Sequence, residues 1–330
     1  MTVFQNNPSQ IWLRHFSKLT AWATFVLIFI GGMVTSTGSG LSVPDWPLSY
    51  GSLFPPMIGG VFYEHGHRMV ASFVGFLILS LAIWLSFKEK RRWVRNLGFC
   101  ALAAVILQGV LGGLTVLHFL PTSLSVSHAV LAQTLFVLTV VIAYSQSKER
   151  GIRLTEREET RSIFLKWSVC VVILVYVQLI VGAIMRHTGS GLAIPDFPTM
   201  GGYWLPPFND TMLHRINAWR FENNLDPVTL SQVIFHFCHR LGAILILITS
   251  SFLTYFGLKY HAQQKRIIQT IYLIDVMIIA QITLGILTVL TQKQPILTSF
   301  HVMVGAGVLG VSVLLTLRAL PVTLQGLSKI

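Results

Sequence analysis

The sequence predicts an all-α polytopic membrane protein whose eight transmembrane helices form two tandem, pseudo-symmetric four-helix bundles with both chain termini in the cytoplasm. Three observations lead to this fold class: an apolar composition, basic residues in alternate loops, and a duplicated set of motifs. Of the 330 residues, 53% are hydrophobic and only 11% are charged. A soluble core could not hide that much apolar surface, so the lipid bilayer is the expected solvent.

Eight apolar stretches are each long enough to cross the hydrocarbon layer. They lie at about residues 15–36, 65–87, 95–117, 124–146, 163–186, 231–257, 266–290 and 297–319. At this spacing only helices satisfy their own backbone hydrogen bonds in lipid. The first stretch is too long for the core of a signal peptide and lacks a credible cleavage site, so we expect it to remain as a helix.

Lysine and arginine are concentrated in alternate loops. Of the 24 such residues, 18 lie in the N-terminal segment, the loops near 88–95, 148–166 and 259–266, and the C-terminal tail. The other six are Arg68, Arg186, Arg215, Arg220, Arg240 and Lys293. The positive-inside rule makes the richer side cytoplasmic, which predicts a multi-pass protein of the cell membrane with both termini inside. The net charge of +12 therefore reflects topology and partnership with lipid, not nucleic-acid binding.

The same motifs occur twice along the chain. Thr-Gly-Ser-Gly-Leu at 37–41, followed by Pro-Asp-Trp-Pro, returns at 188–192 followed by Pro-Asp-Phe-Pro, an offset of 151 residues. From His67 onward the offset is 172 to 173 residues, because His67 returns as His239 and His128 returns as His301. A duplicated half with a longer outer loop explains both offsets. The predicted repeats are residues 1–150 and 151–330.

Four histidines lie near the outer ends of the second, fourth, sixth and eighth apolar stretches: His67, His128, His239 and His301. An ionisable residue at such a depth is a functional candidate because lipid offers it no partner. One alone could be a satisfied helix-end residue, but two per repeat at one depth favour a shared role. Two imidazoles facing each other in an apolar bundle fit a haem iron with two axial ligands. A structural zinc site would need four clustered N or S ligands at close sequence spacing, and the cysteines do not supply that set.

The two halves differ three residues before the first histidine of each pair. Glu64 stands there in the first half and His236 in the second, each on the helical face of the following histidine. Glu64 is either a carboxylate beside a haem or a surface residue at a helix N-terminus, and His236 is a candidate loop partner or propionate partner. Arg68 and Arg240, directly after the histidines, can pair with haem propionates or reach lipid headgroups.

Other polar residues give weaker indications. Gln108 and Gln281 lie at matched positions inside apolar stretches, where they can bond across helices or touch a macrocycle. Asp45 and Asp196 stand between prolines, a pattern typical of turns. An amphipathic stretch at 209–223 in the second long outer loop fits either the membrane surface or a cover over the bundle.

These features together resemble the heme A synthase family over nearly the whole chain. They comprise two four-helix repeats, paired outer histidines, a Glu-x-x-His and the two loop signatures. The resemblance implies an oxidoreductase that oxidises a ring methyl of heme O to a formyl group through a hydroxymethyl intermediate, giving heme A for terminal oxidases. It implies a heme B cofactor on His239 and His301, heme O near His67 and His128, and Glu64 as the catalytic carboxylate.

The chain departs from many members of that family in one respect. They carry a cysteine pair in the first outer loop, and residues 37–62 here contain none. Any thiol step in those relatives therefore cannot operate in this chain. With no nucleotide-binding motif, electrons would leave through heme B to an acceptor that the sequence does not name, such as a quinone or another membrane redox protein. A heme O synthase is the expected supplier of substrate, and small residues on lipid-facing helices would permit a homo-oligomer.

Two other functions fit parts of the pattern. A di-haem b-type electron carrier needs only the four histidines. However, haems stacked for transfer across a membrane should lie at different depths, whereas these sites share one. A haem transporter would hold a haem in the first half without oxidising it. Neither alternative explains why Glu64 and His236 differ.

Overall fold

The computed structural model describes residues 8–151 and 158–320, and within these ranges all regular elements except two isolated β-bridges are helical. The helices are α1 (Pro8–Ser36), α2 (Gly60–Lys88), α3 (Arg92–Leu117), α4 (Thr122–Ser145), α5 (Glu158–His187), α6 (Asp210–Glu222), α7 (Leu230–His261), α8 (Lys265–Leu290) and α9 (Pro295–Ala319), with short 3-10 turns at Lys148–Gly151 and Ser190–Leu192. All but α6 are long and apolar enough to cross a membrane. The prediction of an all-α protein with eight membrane-crossing helices is therefore confirmed.

Several helices extend beyond the apolar stretches because local caps set their ends. The Thr229 hydroxyl and the Gln232 side chain form a capping box at the start of α7. At the start of α9, Pro295 occupies the first turn and the Gln294 side chain accepts a hydrogen bond of 2.7 Å from the Leu297 N–H. Hydropathy alone places these two starts one and two residues too late, at 231 and 297, because flanking residues outside the apolar stretch join the helix.

The membrane helices form two groups of four. In the first, α1, α2, α3 and α4 pack in sequence and α4 returns to α1; in the second, α5, α7, α8 and α9 pack in the same cyclic order. The groups meet where α9 contacts α1 and α4, and where α4 contacts α5. Each group has an apolar core of its own, including Ile78 and Leu81 in the first and Ile271 and Ile274 in the second.

Helix α9 reaches this central position because it presents glycine to its neighbours. A Cβ on Gly307 would lie 2.5 Å from the Met277 side chain, and one on Gly310 would lie 2.7 Å from the Phe136 ring. Without a hydrophobic driving force between helices in lipid, such close approach supplies the packing contacts that hold them together.

Replacement of Gly310 by alanine should therefore destabilise the protein, by about 1–3 kcal/mol as for other overpacked sites. The matched control is Gly75→Ala in α2, where the nearest atom to an added Cβ is 4.0 Å away. Because alanine favours helix over glycine, Gly75→Ala should be neutral or slightly stabilising. Thermal unfolding of both variants in one detergent tests this, and equal midpoints would contradict the packing argument.

Helix α6 lies in the amphipathic stretch noted in the sequence, and it covers the outer end of the second group. Its side chains Met212 and Ile216 are each only 1% exposed, and they pack with Ile194 from the preceding loop and Val233 from α7. The Asn209 side chain caps the helix by accepting a hydrogen bond of 3.0 Å from the Met212 N–H. Of the two placements that the sequence allowed, the structure supports a cover over the bundle.

Candidate functional site

The four histidines occupy equivalent places in their helices. His67 and His128 are the eighth residue of α2 and the seventh of α4, while His239 and His301 are the tenth of α7 and the seventh of α9. All four are only partly accessible to solvent. Each helix group therefore carries two imidazoles near one end.

Every one of these imidazoles packs against a glycine of a neighbouring helix. Added Cβ atoms would lie 3.0 to 3.2 Å from the ring carbon Cε1 in four pairs: Gly31 with His67, Gly112 with His128, Gly182 with His239, and Gly285 with His301. Any larger residue would have to push the ring aside. The glycines thus fix where the imidazoles lie and leave their other faces toward the bundle interior.

These glycines were only partly foreseen from the sequence, where the run around Gly112 was interpreted as permitting close helix approach. Gly31 and Gly182 were missed, although a signal was present. They stand 151 residues apart, the offset of the outer-loop motifs, and Gly112 and Gly285 stand 173 apart, the offset of their histidines.

The two imidazoles of the second group face each other. The ring centroids of His239 and His301 are 6.2 Å apart, and the ring planes are inclined by 70°. Metal–imidazole bonds are about 2 Å long and each ring adds about 1 Å, so about 6 Å is the spacing of two rings on opposite sides of one ion. The centroid spacing of the pair therefore matches that of two imidazoles that share one metal ion.

Hydrogen bonds orient both rings of this pair. The Nδ1 atom of His301 lies 3.1 Å from the carbonyl oxygen of Gln281, which leaves Nε2 free when Nδ1 carries the proton. The Gln178 amide lies 3.1 Å from Nδ1 of His239 and donates a bond of 2.7 Å to the His239 carbonyl. Gln178 was missed because the equivalent residue of the first half is Leu27.

The first group is less constrained. Among the described residues, Nδ1 of His67 and Nδ1 of His128 are buried without a hydrogen-bond partner. The Gln108 amide donates a hydrogen bond of 3.0 Å to the His128 carbonyl, and its nitrogen lies 3.3 Å from Nε2 of the His128 ring. The Gln108 side chain therefore bonds across helices, as one of the two sequence interpretations held, whereas Oε1 of Gln281 is buried without a hydrogen-bond partner among the described residues. The rings of the first group have fewer side-chain nitrogen partners than those of the second.

Glu64 is buried in a network that ties α2 to the first outer loop. Its side chain accepts a hydrogen bond of 2.8 Å from the Val43 N–H and an ion-paired one of 2.6 Å from Arg68, and the residue is 3% exposed. The interpretation of Glu64 as an exposed residue at a helix N-terminus is therefore wrong.

His236 likewise connects its helix, α7, to the outer loop of the second group. Its Nδ1 accepts a bond of 3.1 Å from the Ile194 N–H, and Arg240 Nε lies 3.3 Å from its Nε2. His236 is thus a loop partner, one of the roles expected from the sequence. The Glu64 carboxylate and the His236 imidazole thus hold the outer loops of their groups in the same way.

The two arginines bind loop backbone, a role the sequence did not indicate. Arg68 donates to the carbonyls of Val43, Asp45 and Leu48 as well as to Glu64, which occupies the N–H groups of both terminal nitrogens. Arg240 donates to the carbonyls of Ile194, Asp196 and Thr199. Because these donors are used within the protein, the arginines fix the outer loops over the histidine pairs.

The turn role of the two aspartates is confirmed. Asp45 accepts from the N–H groups of Tyr50 and Gly51, and those two bonds, that from Gly51 foremost, lower the pKa of Asp45. Burial raises the pKa of Asp196, but hydrogen bonds, that from Thr199 foremost, outweigh this effect and lower it overall. Both carboxylates remain ionised acceptors within their turns.

The residues present fit two haems better than a compact metal centre. Among the described residues no group of three or more His, Cys, Asp or Glu side chains could hold a metal ion, and Cys100, Cys170 and Cys238 are free thiols. Two imidazoles, glycines that clear space beside them and otherwise apolar helices suit a flat apolar macrocycle with two axial ligands.

Comparison with known proteins gives a consistent result. A family model described as cytochrome oxidase assembly protein, COX15-CtaA, matches residues 14–61 and 59–313. The chain is similar to a heme A synthase of Halalkalibacterium halodurans, with 26% identity over 88% of this chain and 92% of the relative. It is also similar to a heme A synthase of Rickettsia felis, with 26% identity over 86% of this chain and 93% of the relative. A heme A synthase of Bacillus licheniformis is 32% identical over 59% of this chain and 66% of its own length.

Proposed function

Because the chain belongs to the COX15-CtaA family of cytochrome oxidase assembly proteins, we propose that it is a membrane-bound heme A synthase, an oxidoreductase acting on heme O. The reaction oxidises one ring methyl of heme O to a formyl group by way of a hydroxymethyl intermediate. Similarity to proteins named heme A synthase over most of the chain supports this assignment.

One structural observation carries the proposal: four imidazoles, paired within two helix groups, are each set against a helix glycine. From this pairing we infer one haem site in each group, a substrate site beside a cofactor site. We assign heme B to His239 and His301, and heme O to His67 and His128.

The contrast between the two helix groups supports this assignment of heme B to the second group and heme O to the first. The Nδ1 atom of His301 lies 3.1 Å from the Gln281 carbonyl oxygen, an acceptor of the kind usual beside a permanent metal ligand, and the Gln178 amide holds the ring and main chain of His239 in place. The Nδ1 atoms of the first pair lack such partners among the described residues, which suits a site where one haem must enter and another must leave.

The chemistry balances with water as the source of oxygen. Converting the methyl to a hydroxymethyl group releases two protons and two electrons, and converting that to a formyl group releases a second pair of each. Heme B, when bound, would supply a one-electron redox centre for their removal. The final oxidant is a membrane electron acceptor, of which a quinone is one candidate class.

Within the first group Glu64 is the group suited to charge or proton handling near the substrate. It lies one helical turn from His67 on the same face, and Arg68 and the Val43 N–H hold its carboxylate in place. A preorganised carboxylate in a site of low dielectric can stabilise positive charge that develops at the reacting carbon, or accept a proton released from it.

We further propose that residues 1–150 and 151–330 are pseudo-symmetric repeats with these two roles, in the cell membrane with both termini cytoplasmic. Six outer basic residues against 18 inner ones support that orientation. Heme O arrives from lipid, and a heme O synthase is the expected partner that supplies it.

The test is chromatography of the haems extracted from this protein when it is produced in a host that makes heme O. The proposal predicts heme B together with heme A or its hydroxymethyl precursor. In His239→Ala the heme B peak should be lost, and in His67→Ala heme B should remain while the oxidised product disappears. Heme B alone, at two per chain with heme O ignored, would instead support a di-haem electron carrier.

A further inference from the structure

At the outer end of the second helix group, three basic side chains form no ion pair with a described residue. Three cations gather there: Arg186 at the end of α5, Arg220 on α6 and Lys293 between α8 and α9. We call them the outer cation cluster. The pKa of Lys293 is lowered, first by loss of solvation and then by the positive charges of Arg220 and Arg186, so both arginines lie within electrostatic reach of Lys293.

Arg186 lies one helical turn beyond a residue that contacts the histidine pair. On α5 it follows Gly182 by four residues, which places both on one helical face, and Gly182 packs against the His239 ring. One terminal nitrogen of Arg186 donates to the Gly32 carbonyl at 2.9 Å and to the Ser36 hydroxyl at 2.7 Å. The described residues provide no partner for its other N–H groups and no acidic residue paired with it.

Lys293 reaches the same end from the other side of the group. Its backbone is in the left-handed region, with φ of 66°, and its Cδ atom would lie 3.6 Å from a Cβ on Gly191. Part of the Lys293 residue stays exposed to solvent, and it forms no ion pair among the described residues. Arg220 is held more firmly, by the carbonyls of Leu192 and Asp226.

The described part of the first group has no such cluster, although the backbone conformation at the position that matches Lys293 is similar. The residue equivalent to Lys293 is Leu120, with φ of 59° and a side chain packed over Gly40 as Lys293 packs over Gly191. The residue equivalent to Arg186 is Thr35. The matched positions thus differ in charge and not in geometry.

From this contrast we infer that Arg186 and Lys293 bind the carboxylate groups of the haem held by His239 and His301, and that this anchor keeps that haem resident. Three cations face one nearby carboxylate, Asp226, which leaves room for the two negative charges of a haem's propionates. The first group, without such an anchor, can release its haem. This inference rests on the proposed function.

The experiment compares haem retention in Arg186→Gln, Lys293→Gln and the double variant, with Arg215→Gln as a matched outer-loop control. Transfer of heme B to excess apomyoglobin gives the dissociation rate, and a redox titration gives the midpoint potential. We expect dissociation about tenfold faster for each single variant, the usual size of a charge-assisted hydrogen bond, and a lower potential, because unneutralised propionates favour ferric iron. Arg215→Gln should change neither.

Heme B esterified on its propionates makes the test specific. In the wild type the ester should dissociate faster than heme B, whereas in the double variant the two should dissociate equally. Because Arg186 also bonds to α1, faster haem loss in Arg186→Gln could come from impaired folding. Lys293→Gln, at an exposed position, and Arg186→Lys, which keeps the positive charge, distinguish loss of the anchor from impaired folding.

An ester effect of the same size in the wild type and the double variant would overturn the inference while leaving the proposed function intact. So would unchanged dissociation in Lys293→Gln combined with loss of haem in His239→Ala. A wild-type protein that retains no heme B would overturn the proposed function and this anchor together.

Discussion

Replacing Glu64 by histidine should reduce formation of heme A and its hydroxymethyl precursor by about 10²- to 10⁴-fold while leaving the protein folded and heme B bound. The substitution copies the second group, where His236 accepts from the loop N–H of Ile194 and lies beside Arg240. A histidine at position 64 can make the same contacts with Val43 and Arg68, so the loop should keep its place. Only the carboxylate is lost.

The measurement is chromatography of extracted haems with heme O supplied, together with heme B content and the melting temperature. Glu64→Gln is a second variant that keeps an oxygen for the Val43 N–H but carries no charge, and it should lose activity similarly. Normal product formation in Glu64→His would show that Glu64 only secures the loop. If Glu64→His fails to fold, histidine cannot replace glutamate in the contact with the loop. The activity of Glu64→Gln then tests whether the carboxylate has a chemical role.

Substituting valine for the glycines that face the histidines should separate the two sites. Gly285→Val should push the His301 ring aside, since an added Cβ would already lie 3.0 Å from Cε1. Metal–ligand distances tolerate only a few tenths of an ångström, so heme B affinity should fall by about 10- to 100-fold. Gly112→Val should displace His128 in the same manner, reducing product formation while heme B remains bound.

The control for both is Gly109→Val in α3, where no atom lies within 4 Å of an added Cβ. It carries the same cost in helix propensity without touching a histidine. Heme B absorbance and product haems are measured for all three variants. Loss of heme B in Gly112→Val would indicate that the cofactor lies in the first group. Full heme B content in Gly285→Val would contradict its assignment to the second group.

The fold class was predictable because it follows from hydropathy, which is a local property of the sequence. Hydropathy marks eight spans, since lipid requires a continuous apolar helix of known length. Helix ends were less accurate, because the capping by Thr229 and the Gln294–Pro295 start depends on a few polar residues. Whether 209–223 lies on a membrane or on the bundle could not be read from an amphipathic pattern, because either apolar surface satisfies it.

The site was predictable where the repeat preserved a residue and obscure where it did not. His67 and His239 were found because they recur with a fixed offset. Gln178 has no counterpart, and a lone glutamine in an apolar helix carries no sign of its partner. The loop role of Arg68 depends on main-chain carbonyls, which have no sequence signature, so only the structure could reveal it.

Those same carbonyl contacts tie the first outer loop to α2 through main-chain atoms of the loop. Arg68 donates to the carbonyls of Val43, Asp45 and Leu48, which any residue at those positions would present, and Glu64 accepts from the N–H of Val43. Within the loop the Asp45 side chain is still needed, because it accepts from the N–H groups of Tyr50 and Gly51. The attachment of the loop to the helix therefore uses no cysteine.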